Sequence, residues 1–322
     1  MKFKNVYMHF PFCETKCHYC DFFSLPEKQI ASGERSRIYR AIERELELFE
    51  PELAEQIDTV FLGGGTPSLV PHEHMESLLS RLLDKRMDPS TEVTIEANPS
   101  SITFENATQW LKMGINRVSM GVQALDDHRL EWLGRVHSKN KAFEALTHLH
   151  EAGFQNISID YIVGVPDQSS AQIESELTGV LSRFPNIRHL SAYLLTLKTA
   201  NYKYKELPTE EIQLEHLQQV SSVLKNHAFD QYEISNFARD DARALHNENY
   251  WLGGSYLGIG PSAHSYRNQN GLEKRTKNWA SLGKYCELVE SGQPSIEWEE
   301  ILTIEQSRLE YLMLRLRRKD GI

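Results

Sequence analysis

The sequence predicts an α/β fold built on a parallel sheet, and three observations predict it. Short apolar, β-rich runs alternate with amphipathic helical stretches from the N-terminus to about residue 228. The strand runs are almost continuously apolar, as expected of a sheet covered by helices. Helical stretches end on glycine, at Lys112-Met113-Gly114 and Glu151-Ala152-Gly153, where a residue free to enter the left-handed region stops the last turn. Such alternation implies parallel strands joined by right-handed crossovers.

Taken in order, strands are expected at 5–10, 58–63, 92–97, 117–122, 156–163 and 189–196. Helices are expected at 34–50, 72–86, 103–113, 139–152 and 169–183, with one more at 209–227 after the last strand. Asp88-Pro89-Ser90 punctuates the entry to the third strand. Six βα units are too few for a closed eight-stranded barrel, so periodicity alone leaves an open doubly wound sheet and a partial barrel. After residue 228 the pattern changes. Residues 231–265 are rich in Tyr, Asn, Gly and His and read as irregular structure with short strands, and two helical patterns return between 278 and 318. The expected division is a core unit at 1–228 and an accessory region at 229–322.

The chain has 322 residues, 40% of them hydrophobic, enough to bury a sizeable core. A formal net charge of −10 argues against a nucleic-acid partner. No apolar run has the length of a membrane span. Met1-Lys2-Phe3-Lys4 leads straight into a strand, without the apolar stretch and cleavage site of a signal peptide. The expectation is a cytosolic protein. Of four cysteines, Cys13, Cys17 and Cys20 share one short loop. In a reducing compartment such a cluster points to metal rather than to disulfides. Cys286 lies alone in a helical pattern and is expected to be a buried structural thiol.

The loop reads Phe12-Cys13-Glu14-Thr15-Lys16-Cys17-His18-Tyr19-Cys20-Asp21-Phe22, a CxxxCxxC arrangement just after the first strand. Three thiolates can ligate three irons of a four-iron cluster and leave the fourth open to a chelating ligand. A zinc site with His18 or His9 as fourth ligand is the competing reading. Zinc motifs, however, usually pair a CxxC with a second pair, and the sequence has none. A redox CxxC would leave Cys13 unexplained.

With this loop the chain resembles the radical-SAM superfamily. The flanking Tyr7-Met8-His9-Phe10-Pro11-Phe12-Cys13 and Tyr19-Cys20-Asp21-Phe22 are similar to the oxygen-independent coproporphyrinogen oxidases and to their relatives, the HemW haem chaperones. The likeness runs from about residue 5 to about residue 320. It implies a partial (β/α)6 radical-SAM barrel with a C-terminal α+β accessory region. It also implies a [4Fe-4S] cluster on Cys13, Cys17 and Cys20 that holds S-adenosylmethionine (SAM). Members of the family usually continue with a small C-terminal domain, so the accessory region is expected to be truncated.

Further motifs lie at successive strand ends, where α/β proteins place ligands. Phe61-Leu62-Gly63-Gly64-Gly65-Thr66-Pro67 ends the second strand, and its bare backbone would let a ligand approach closely, or would simply make a tight turn. Glu96, in Ile95-Glu96-Ala97-Asn98-Pro99, could accept from ribose hydroxyls or an ammonium, and is costly to bury unpaired. Gln123 follows the fourth strand, Arg135 could pair with a carboxylate, and Asp160 interrupts the fifth strand. Each alone reads equally well as a satisfied structural group. The resemblance carries Tyr7, Gly64, Gly65, Thr66, Glu96, Gln123, Arg135 and Asp160 over as SAM-binding positions.

Two places separate the oxidase branch from the chaperone branch. The oxidases carry a fourth cysteine two positions after the third ligand, where this chain has Phe22, and they have a segment before the first strand where only four residues precede Asn5. His246-Asn247-Glu248-Asn249-Tyr250-Trp251 matches the HNxxYW motif of the chaperones. It offers an imidazole for haem iron and aromatic faces for a porphyrin. The bland reading is a polar loop with His246 hydrogen-bonded and Trp251 in the core. The resemblance makes His246, Asn247, Tyr250 and Trp251 haem-contact candidates. His264 is a weaker second ligand. Lys274, Arg275 and Lys277 could meet the propionates or form a solvated face. The expected function is a haem chaperone that passes haem to respiratory haem proteins, with cluster and SAM regulating transfer or homodimerisation and no coproporphyrinogen oxidase activity. The oxidase itself is the alternative, and a radical-SAM enzyme of another specificity ranks third.

Overall fold

The computed structural model describes residues 2–84 and 86–321. Six parallel strands, neighbours in chain order, form the heart of one sheet: β1 (Asn5–Phe10), β2 (Thr59–Gly64), β3 (Glu92–Ala97), β4 (Arg117–Gln123), β5 (Ile157–Val163) and β6 (Ile187–Leu194). Every expected strand is present, with ends shifted by at most two residues. The connecting helices are α1 (Ser32–Phe49), α2 (His72–Leu83), α3 (Phe104–Lys112), α4 (Asp127–Trp132), α5 (Lys139–Ala152) and α6 (Ser170–Arg183), followed by α7 (Glu210–Asn226). Short α4 was not anticipated. Helix starts carry local caps: Thr103, Ser138 and Ser169 each accept a first-turn backbone N–H, Ser169 within a capping box. Gly153 closes α5 at φ +105°.

The strands are two-faced rather than continuously apolar, which corrects the sequence expectation. Val6, Met8 and Phe10 of β1 join Ile38, Ile42 and Leu46 of α1 in the main core. The alternate residues turn to the inner face, where they meet polar groups of their own or neighbouring strands. Asn5 accepts from Thr59 at 2.8 Å, Tyr7 meets His9 at 3.0 Å, and Ser158 meets His189 at 2.7 Å. Buried Arg117 sits among them, 3.5 Å from Thr94 and 4.0 Å from Glu92. The outer face thus supplies the apolar burial, and the inner face keeps polar groups available for a ligand.

Beyond the boundary expected at residue 228 the chain continues the same sheet. β7 (Asp230–Gln231) and β8 (Asn236–Ala238) extend the sheet antiparallel beyond β6, and β9 (Leu257–Ile259) pairs parallel with β1 on the opposite edge. The result is a nine-stranded sheet. A separate antiparallel sheet follows, with strands β10 (His264–Gln269), β11 (Leu272–Asn278) and β12 (Ile296–Ile301). The two helical patterns expected near the end are α9 (Leu282–Glu290) and α10 (Ile304–Arg315). Residues 245–251, read as part of an irregular stretch, instead form helix α8 (Leu245–Trp251). Cys286 is buried on α9, as expected. Among the described residues, no helix is long and apolar enough to cross a membrane.

Candidate cluster and cofactor site

The cysteine loop leaves β1 and returns to it. A short parallel bridge pairs Phe12 with Leu25 and Cys13 with Pro26, closing the loop at its base. The glycine run after β2 seats beneath it: Gly65 N–H donates to Phe10 O and Thr66 N–H to Phe12 O, both at 2.7 Å. A side chain at Gly65 would place its Cβ 2.4 Å from Phe12 O, so glycine is required there by the chain's own packing. Gly64, at φ +110°, needs glycine for its backbone as well. The tight-turn reading of this triplet is therefore correct for the backbone, and the turn also forms a wall of the site.

Cys13, Cys17 and Cys20 are free and half-buried, and they line one cavity with Gly64, Gly65, Thr66, Glu96, Gln123, Arg135 and Asp160. Seven of the eight expected SAM positions thus share a cavity with the three expected cluster ligands. Tyr7 is the exception. Its ring stacks on Phe61 at 6.1 Å and its hydroxyl meets His9 Nδ1, behind Gly63. Gln123 reaches the cavity through a local irregularity. The β4–β5 register shifts between Met120 and Gln123, and Gln123 sits at φ +67°. A bulge that re-aims a side chain in this way is common beside ligand sites.

The donor set fits a polynuclear thiolate centre. A single zinc would draw its ligands to one point at about 2.3 Å from sulfur. Of the imidazoles proposed as a fourth zinc ligand, His9 has both nitrogens engaged, whereas the buried Nδ1 of His18 has no partner among the described residues. His9 donates through Nε2 to Phe23 O at 2.8 Å and accepts from Tyr7, and burial lowers it to about 4. His18 bonds Trp132 O at 2.9 Å through Nε2. Arg135 Nη1 lies 3.6 Å from Cys17 Sγ.

The rest of the cavity suits a zwitterionic, cationic ligand. Arg135 is held by Asn98 Oδ1 at 2.6 Å and Gly121 O at 3.1 Å, and its Nε has no partner among the described residues. This guanidinium could receive a carboxylate. Opposing it are two half-buried carboxyls, Glu96 and Asp160. Burial, and then the neighbouring Asp160, pushes Glu96 up to about 8, and burial pushes Asp160 up to about 6. A ligand ammonium or sulfonium between them would favour their ionised forms. Asn98, which sequence reasoning quoted without assigning a role, links the two walls by bonding both Arg135 and Thr66 (3.1 Å). Ser119 and Gly121 also line the cavity. The inner-face alternation along β4 was the signal that could have found them.

The haem candidates lie elsewhere. Glu92, at the start of β3, accepts from the Leu245 and His246 backbone N–H groups, both at 3.1 Å, and so caps α8. His246 is fully buried. Its Nδ1 meets Thr59 Oγ1 at 2.6 Å and its Nε2 meets the Tyr250 hydroxyl at 2.8 Å. The ring packs 5.3 Å from Phe61, and burial pushes it down to about 3. In this arrangement both nitrogens of the imidazole are engaged in the core. Tyr250 is consumed by the same contact. Trp251 carries Arg317 over its ring at 4.4 Å, and Asn247 is half-buried on α8. Lys274, Arg275 and Lys277 all have carboxylate partners, in Glu299, Glu310 and Glu297. His264 is exposed at the start of β10.

Comparison with known proteins agrees with this geometry. The profile of the Radical SAM superfamily matches residues 7–177. The protein named heme chaperone HemW of Bacillus subtilis (strain 168) is 34% identical over 99% of this chain and 84% of its own length. The heme chaperone HemW of Mycobacterium tuberculosis is 31% identical over 99% of this chain and 82% of its own length. Among solved structures, coproporphyrinogen III oxidase (HemN) from Escherichia coli, a radical SAM enzyme, superposes with a TM-score of 0.81 at 23% identity. The superposition covers 98% of this chain and 76% of that one, a likeness of fold.

Proposed function

The chain belongs to the radical SAM superfamily and, within it, to the HemW-like proteins; from that premise we propose that it is a haem chaperone of the cytosol, carrying a [4Fe-4S] cluster with SAM and delivering haem to respiratory haem proteins. One observation carries the cofactor part. Three thiols on one loop face the same cavity as a guanidinium and two half-buried carboxyls. Cys13, Cys17 and Cys20 would hold the cluster. Arg135 would orient the methionine carboxylate, and Glu96 and Asp160 would face the cationic and ribose portions. The bound cluster supplies low-potential electrons and an iron open to chelation. The chain's own contribution is positioning: Asn98 and the Gly121 carbonyl fix Arg135, and the β4 bulge aims Gln123.

The chaperone assignment is supported by near-full-length identity to proteins bearing that name and by Phe22, which stands in the cavity wall where the oxidases place a cysteine. Cluster and SAM would then control transfer or homodimerisation, and the protein would not decarboxylate coproporphyrinogen. The test is anaerobic reconstitution followed by haem titration at the Soret band and a coproporphyrinogen decarboxylation assay. Saturable haem binding without decarboxylation is the expected result. Turnover comparable to that of a true oxidase, or no haem binding, would overturn it.

A further inference from the structure

The structure gives the two halves of a haem-binding chemistry, flat aromatic surface and free cationic charge, at a place no motif marks. The segment after β6 runs Lys198-Thr199-Ala200-Asn201-Tyr202-Lys203-Tyr204-Lys205, without an acidic residue, in a chain of net charge −10. It crosses to the cysteine loop and is tied there. Asn201 donates to His18 O at 3.1 Å, and Lys203 Nζ donates to Trp132 O at 2.6 Å while lying 4.4 Å from that indole. The strap is therefore fixed, yet its aromatic side chains face solvent. Tyr202, whose ring lies 5.9 Å from His18 of the cysteine loop, is 75% exposed and Tyr204 42%; Phe22, in the wall of the thiol cavity, is 69% exposed, and Tyr193 on β6 44%. Exposed rings on and beside one loop mark an interaction site rather than scattered surface.

We propose that this rim receives the haem macrocycle, with Phe22, Tyr193, Tyr202 and Tyr204 against the porphyrin plane and Lys198 and Lys205 against the propionates. The inference rests on the haem-chaperone reading and says where that reading's ligand sits. Charge complementarity selects the occupant. Lys205 is exposed and has no carboxylate partner among the described residues. Lys198 pairs with Asp21 at 2.8 Å, with both side chains more than three-quarters exposed, so a propionate can replace that carboxylate at little cost. The basic residues of β11, by contrast, are already paired. The rim lies over the cluster loop, which puts bound haem where cluster and SAM occupancy would be felt. Recognition here reads the ring face and the carboxylates, so the iron is not required for docking.

The test uses the full chain, before and after anaerobic cluster reconstitution. It is titrated with haem, with metal-free protoporphyrin IX and with the porphyrin dimethyl ester. The variants are Tyr202→Ser with Tyr204→Ser, Lys198→Glu with Lys205→Glu, and Tyr311→Ser as a control at a distant exposed ring (48% exposed). All are surface positions, and circular dichroism checks the fold. The tyrosine pair should weaken haem about tenfold, the loss expected of two stacking rings. The lysine pair should weaken it a few-fold, more at low salt. Metal-free porphyrin should bind within about threefold of haem and the ester more weakly. Rim variants that bind within about twofold of the unaltered chain, or a larger loss in Tyr311→Ser, would overturn the rim assignment alone. An unaltered chain with no affinity for haem would overturn the chaperone reading itself.

Discussion

Replacing His246 with alanine separates a structural imidazole from an iron ligand. In the structure, Thr59 Oγ1 donates to Asn5 Oδ1 and can accept from His246 Nδ1–H, which leaves Nε2 to accept the Tyr250 hydroxyl. Removing the ring strands the buried Tyr250 hydroxyl, at about 1–3 kcal/mol. It also opens a void beside Phe61, for which core truncations suggest about 2 kcal/mol more. The expected loss is about 3–5 kcal/mol, a large part of the stability typical of a single domain. Equilibrium urea unfolding of the cluster-free protein at pH 7.5, followed by tryptophan fluorescence, measures it. A second arm uses pH. The folded pKa of about 3 lies below the ordinary 6.5, so the contribution is present above pH 6.5 and is lost as pH falls toward 3. The full loss is on the order of 5 kcal/mol, and the variant should show a shallower acid slope. A destabilisation under about 1 kcal/mol together with abolished haem binding would refute the packing argument and return His246 to the iron.

Other expectations follow from the same contacts. Gly65→Ala must push against Phe12 O, so it should unsettle the cysteine loop and lower the iron retained after reconstitution, read by iron and sulfide assay; full retention would refute the packing account. Arg135→Met should weaken SAM binding tenfold or more in isothermal titration, the loss of a buried charge-assisted contact, while leaving the cluster absorbance in place. Glu45 is buried and accepts from the Tyr285 hydroxyl, Gly260 N–H and Asn278 Nδ2, each at 2.7 Å. Glu45→Ala should therefore cost about 3–5 kcal/mol by urea unfolding, and a loss below about 1 kcal/mol would show that α1 and α9 do not depend on that carboxylate.

The six central strands were legible because their outer-face residues are apolar and their ends carry Gly, Pro and Asp punctuation. Their inner face was not, since residues such as Thr59 and Arg117 find partners only on neighbouring strands. The thiol loop could be read as a metal-type site from spacing, because three thiols within one loop need no long-range information. Its assignment to a cluster and the expected SAM positions needed the family resemblance, and the fold brings all of those positions but Tyr7 to one cavity. Helix α8 escaped notice because it is short and polar on most sides, and the carboxylate capping it comes from Glu92, far away in sequence. β11 was mistaken for a basic surface run. Its lysines and arginine face glutamates, two of them on β12 across the ladder, and that cross-strand pairing stabilises a strand that hydrophobic periodicity cannot detect.

The pairing of Val6 with Leu257 and Met8 with Ile259 has a consequence for how the molecule is made. β1 leaves the ribosome long before β9, its outer neighbour in the sheet. Until β9 is synthesised, one edge of β1 presents open backbone groups to the crowded cell, as β6 does before β8 arrives. Such distant partners predict slow folding. They also predict that a nascent chain stopped between β6 and β9 needs a folding helper, or aggregates through those two edges.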